Sequence, residues 1–167
     1  MYTRARKILA IATPCVLGWF FAYMAIDVFT DYGFGLFVWL PTVMGALTTM
    51  IIGFKNDAPR NRSRNLSYLV LLIFCLGLLT FAWEGVICFL MAAPMGFLFT
   101  YIGHRIGWLI IHGKPKGNPP LMMLILAISV PAFMAFENSV KIPDHLRLVR
   151  TSIEINAPAE TVWKNVI

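Results

Sequence analysis

Long apolar stretches alternate with short polar links along most of this chain. Ile8–Ile26 runs 19 residues without a charge, and Leu36–Phe54 repeats the pattern over another 19. At about 1.5 Å of rise per residue, each is a helix of roughly 28 Å, close to the thickness of bilayer hydrocarbon. A third stretch, Leu66–Ile111, covers 46 residues, in which Glu84, His104 and Arg105 are the ionisable acidic and basic side chains. That is too long for one crossing and suits two, with Trp83-Glu84-Gly85 at the turn between them. Lys114-Pro115-Lys116-Gly117 and Pro119-Pro120 then break the pattern. The last apolar run, Leu121–Phe136, is short and borrows from Asn138–Val140. The expected spans are therefore 8–26, 36–54, 66–83, 86–102 and 121–136, within a membrane region covering 1–140. Gly103–His112 is expected as an interfacial turn or helix extension.

The fold class that follows is an all-α integral membrane helical bundle of about five transmembrane helices. The alternatives lie at two places. Arg4, Arg6 and Lys7 before an apolar run resemble a signal peptide, but the run is long for one and Tyr23-Met24-Ala25-Ile26-Asp27 is a poor cleavage site. Val86–Leu98, with Pro94 inside it, is either a full crossing or a re-entrant hairpin. The hairpin would return the tail to the side of the N-terminus.

Composition agrees with hydrocarbon as the surrounding medium. Apolar residues make up 59% of the chain and charged residues 13%, too few charges to cover a soluble domain of this size. The net charge of +6 does not form the basic face of a nucleic-acid binder. Its cations cluster in the links: Arg4, Arg6, Lys7; Lys55, Arg60, Arg62, Arg64; Arg105, Lys114, Lys116. In a five-span arrangement all fall on one side. Asp27, Asp31 and Glu84 fall on the other, with Glu137 at the same interface. The excess of Lys and Arg predicts a cytoplasmic N-terminus and an extracytoplasmic tail. A bacterial inner membrane is the expected location. Cys15, Cys75 and Cys88 lie in apolar runs without a close pair and read as small hydrophobes.

After Pro143 the pattern changes period. Leu148, Arg150, Ser152, Glu154 and Asn156 alternate with Val149, Thr151, Ile153 and Ile155, the signature of a half-buried strand over Leu146–Asn156. Ala157-Pro158-Ala159-Glu160 then opens a helix, with Pro158 at its first position and Val162, Trp163, Val166 and Ile167 as its apolar stripe. The stretch from Thr151 to Trp163, with Ile155, Ala157-Pro158-Ala159-Glu160 and Val162-Trp163 in order, resembles the opening of the SRPBCC superfamily. These are START-like, polyketide cyclase/dehydrase-type helix-grip proteins. The resemblance implies that residues 146–167 begin a START-like α+β domain, present here as its first strand and helix start. It further implies an apolar ligand held in a cavity built by more than a hundred further residues. No binding residue carries over, because the matching positions lie outside this sequence.

The candidate chemistry is sparse. Asp27, Asp31, Glu84 and Glu137 are either a cation or proton site at the outer mouth or loop charges that obey topology. Glu84 is the sharpest of them because its turn is so short. His104, Arg105 and His112 have no spacing for a metal and read as interfacial anchors. Pro14, Pro41, Pro94 and Pro131 lie inside four spans and would kink them. Gly103 and Gly107, and Ala92 and Gly96, form small-xxx-small pairs for close helix packing, with homo-oligomerisation as their other use. No P-loop, GxSxG, HExxH or GxGxxG occurs. No cofactor, metal or catalytic constellation is expected. The expected function is to anchor a START-like ligand-binding domain at the membrane, with lipids as partners. A small transporter or channel with Pro-kinked helices is the alternative.

Overall fold

The structure, a computed structural model, describes residues 4–28, 33–54, 59–80, 86–113, 118–140, 152 and 154–166. Helix α1 runs Arg4–Tyr23 and widens into a π-helical turn, Met24–Val28. A second π-helical turn, Gly35–Trp39, leads into α2, Leu40–Gly53. Then come α3, Arg60–Thr80, α4, Val86–His112, and α5, Pro119–Ser139. A short α6, Ala159–Val166, follows. Among the described residues, five helices are long and apolar enough to cross a membrane: Ala5–Ile26, Gly35–Gly53, Arg60–Thr80, Val86–His112 and Pro119–Ser139. These five helices are compatible with a multi-pass membrane protein.

The chain runs up and down. Arg6 donates to the carbonyl of Phe54 (2.8 Å), which sets the start of α1 beside the end of α2. Cys15 and Trp19 of α1 reach the carbonyls of Val70 and Phe74 of α3 at 3.7 and 3.2 Å. Those pairs advance together, so α1 and α3 are parallel. The α1 amino terminus, the α2 carboxyl terminus and the Arg60–Arg64 turns of α3 thus share one end of the bundle, here the basic end.

Helix α2 is the centre. Leu40–Met50 is buried throughout, and α2 touches α1, α3, α4 and α5. It can be surrounded because its side chains are small or flexible: Gly45, Ala46, Thr42, Thr48, Thr49, Met44 and Met50. Each threonine hydroxyl bonds the carbonyl one turn back, Thr42 to Val38, Thr48 to Met44 and Thr49 to Gly45, at 2.7–2.9 Å. No hydroxyl therefore faces hydrocarbon unpaired on α2. Leu40, Val43, Met44 and Leu47 pack with Cys15, Phe21, Val70, Leu71 and Phe74 as the apolar core.

The crossing expected from Val86 is part of one continuous helix to His112, with Pro94 inside it, in place of the alternative re-entrant hairpin. Other expectations are corrected. Helix α3 begins at Arg60, not Leu66, because Pro59 starts it and the arginines extend its first turns. The strand expected over 146–156 is not seen. Ser152, Glu154 and Ile155 are irregular, while 146–151 and Ile153 lie outside the described residues. A strand is stable only when another strand completes its ladder, and no strand occurs among the described residues. The helix after it does form. Pro158 caps that helix instead of occupying its first position, since its carbonyl accepts from Thr161 (3.0 Å) and Val162 (3.2 Å).

Candidate functional site

The closest helix contact in the bundle joins α2 to α4. Thr42, Gly45, Ala46 and Thr49 recur at i, i+3, i+4 and i+7, one face of α2. Thr100, Gly103, His104 and Gly107 have the same spacing on α4. These faces meet in parallel. Gly45 lies against the backbone of Thr100 and His104, Gly103 against the carbonyl of Thr42, and a Cβ on Gly107 would stand 2.6 Å from the carbonyl oxygen of Ala46. Glycine is required at 103 because the α2 backbone occupies the place a side chain would take. Such backbone approach substitutes for hydrophobic attraction, which is absent between helices in lipid.

Within this seam lies a buried polar cluster. His104 is 1% exposed, and its Nδ1 is 2.9 Å from the hydroxyl of Thr49. Thr49 also meets Ser67 of α3 at 3.3 Å, and Ser67 bonds the carbonyls of Ser63 (3.1 Å) and Gly45 (3.4 Å). The Thr49 hydroxyl thus sits among the Gly45 carbonyl, Ser67 and the His104 ring nitrogen Nδ1. Neither His104 Nε2 nor the buried Thr100 hydroxyl has a hydrogen-bond partner among the described residues. The reading of His104 as an interfacial anchor is thus corrected. It is an internal side chain joining three helices. Arg105, its neighbour, does point outward and donates to the Tyr101 hydroxyl at 3.3 Å, while His112 stacks on Trp108 at 3.7 Å.

Glu137 has a specific task at the opposite end. The amides of Phe34 and Gly35 donate to its Oε1 (2.6 Å) and Oε2 (3.0 Å). One carboxylate from the last turn of α5 therefore caps the free amides that open the π-helical turn before α2. A side chain at Gly33 would displace that carboxylate. The same pair of helices is held by Trp39, whose indole donates to Ser129 (2.9 Å) and stacks on Phe133.

The other acidic residues are not brought into view. Asp27 lies in the π-helical end of α1 with its side chain outside what the structure describes, and Asp31 and Glu84 lie outside the described residues. Among the described residues, no group of three His, Cys, Asp or Glu is placed to hold a metal. Cys15, Cys75 and Cys88 are all unpaired.

Ala92 and Gly96 sit on the other half of α4, in a different setting. They line an apolar groove of about 320 Å³ between α3 and α4, floored by Ala22, Leu36 and Pro41, together with Leu71, Cys75 and Phe89. Its lining is almost wholly hydrocarbon. A Cβ on Gly96 would meet only Leu71, at 3.7 Å, so here the small residue leaves space where Gly103 closes it.

No family model, curated protein or solved structure matches this chain.

Proposed function

We propose that the bundle is a membrane anchor that holds a START-like, apolar-ligand-binding module at the bilayer face. The amino terminus lies in the cytoplasm, and the module lies on the opposite side. The observation that carries this reading is α6. Its Ala-Pro-Ala-Glu opening folds into a short amphipathic helix with Trp163 68% exposed. An indole so uncovered, on a helix far too short to be stable alone, belongs against further structure. The groove between α3 and α4 supports the second half of the reading, because it offers an apolar ligand a resting place between lipid and module.

The transporter reading draws on the buried His104 cluster, since ionisable groups inside a span mark pathways. Against it, Leu40, Val43, Met44, Leu47 and Val70 fill the interior between that cluster and the Glu137 end, and none offers a polar group to a solute.

The test is a single cysteine at Trp163→Cys, with Cys88 replaced by serine, in the membrane of the producing cell. We expect a water-soluble maleimide to label it slowly in the membrane and rapidly after denaturation. Equal rates would show that nothing covers α6 and would end the anchor reading. Alkaline phosphatase fused at the carboxyl end should be active, whereas an active fluorescent-protein fusion and a silent phosphatase would reverse the orientation.

A further inference from the structure

We propose that the α3–α4 seam at the basic end binds an anionic phospholipid, its phosphate held by Arg60, Arg64 and Arg105 and one acyl chain lying along the seam into the groove. This goes beyond the anchor reading and does not depend on the carboxyl-terminal module.

The register of the two helices brings the cations together. Tyr68 and Phe97 meet edge-on with ring centres 5.5 Å apart, and Leu71 lies beside Gly96. The helices are antiparallel, so stepping one turn toward the basic end sets Arg64 level with Tyr101. The next turn sets Arg60 level with Arg105. Arg60 and Arg105 are exposed and Arg64 is half-buried.

Among the described residues no acidic side chain stands in this collar. Glu137 is bonded at the opposite end, and Glu154 and Glu160 belong to the tail. Three like charges in one seam repel one another unless an anion joins them. The Tyr101 hydroxyl, already 3.3 Å from Arg105, adds a neutral donor. Basic pockets between membrane helices select phosphate headgroups in this way.

The groove identifies the anion as a lipid headgroup and not a free ion. It begins at Leu71 and Phe97. Leu71 is about two helical turns beyond Arg64, or about 10 Å at 1.5 Å per residue. One leaflet of hydrocarbon is about 15 Å deep. A headgroup at the arginines therefore delivers the end of its acyl chain to the mouth of the groove, where Leu71, Leu72, Cys75, Ala93 and Gly96 receive it. A polar head site and an apolar tail site on one seam, one chain length apart, fit an anionic lipid.

The experiment uses the intact protein in mild detergent, titrated with dioleoyl phosphatidylglycerol or dioleoyl phosphatidylcholine and read by native mass spectrometry. Phosphatidylglycerol should bind and phosphatidylcholine should be lost. The double change Arg64→Gln with Arg105→Gln should weaken phosphatidylglycerol about tenfold or more, while Arg62→Gln, the same charge change on α3, should alter it less than about twofold. Gly96→Leu should abolish the preference for dioleoyl over dihexanoyl chains while keeping headgroup selectivity. Equal binding of the two headgroups by the unaltered protein would overturn the proposal, and needs no variant to fold. So would equal weakening by Arg62→Gln, or full displacement of the lipid by millimolar inorganic phosphate.

Discussion

From Thr100 to Gly107, α4 lies against α2 with the two backbones in contact. From Val86 to Phe97 the same helix packs more loosely, with Met91 78% exposed and a groove at its side, though Phe97 and Gly96 still meet Tyr68 and Leu71. The exposed half carries the larger apolar side chains: Val86, Ile87, Leu90, Met91 and Met95. The buried residues of α4 are Thr100, Gly103, His104 and Gly107. Apolar bulk thus predicts burial in the wrong direction here. In water, large hydrophobes are driven inward. Between helices in lipid they gain nothing by turning inward, and contact goes to the surfaces that approach most closely.

The contrast is broken most severely at Gly103. Gly103→Val drives a branched side chain into the Thr42 carbonyl, and we expect a loss of about 3 kcal/mol, measured by unfolding in mixed micelles. A loss under about 1 kcal/mol would mean that α2 and α4 separate easily and that the seam does not organise the bundle. Next is Glu137→Ala, which leaves two amides uncapped. The expected cost is about 2 kcal/mol, and hydrogen exchange should rise at Phe34 and Gly35 before it rises in α2. A uniform rise would show that α5 is not pinned at that end.

A smaller effect separates geometry from polarity within the tight half. A double-mutant cycle of Thr49→Val and His104→Leu should give a coupling of about 0.6 kcal/mol, typical of hydrogen bonds between membrane helices. Zero coupling would mean that glycine contact alone aligns the helices. The smallest change is expected in the open half: Gly96→Leu should stay within about 0.5 kcal/mol. If it matched Gly103→Val, the two halves would not differ.

How far the sequence revealed this follows from what each feature depends on. The five long apolar runs were legible because their lengths match bilayer thickness, a property of each segment alone. Their ends were less so. Arg60, Arg62 and Arg64 looked like a loop, yet they extend α3, since an arginine-bearing turn can lie at the edge of hydrocarbon. The His104 cluster does not show in the hydropathy pattern of the sequence, because a membrane helix is apolar on every side and the charged Arg105 stands beside the ring. A signal was present: Gly103, His104 and Gly107 share one face, so a histidine on the small-residue stripe points inward. The partner of Glu137 could not be read, since its amides lie over a hundred residues earlier in the chain. The alternating pattern at 146–156 could not decide its own outcome, because period two shows which face a strand would bury, not that a second strand is there to pair with it; among the described residues Ser152, Glu154 and Ile155 are irregular.

The central position of α2 has a consequence for how the protein is made. A ribosome releases α2 well before α4, so the nascent chain holds Gly45, Ala46 and Thr49 in the bilayer without the helix that later covers them. The threonines tolerate this interval because each hydroxyl is already bonded to its own helix. His104 cannot find its hydroxyl partner until both helices are inserted. The three-helix intermediate is therefore the stage at which the small-residue face of α2 lies against lipid.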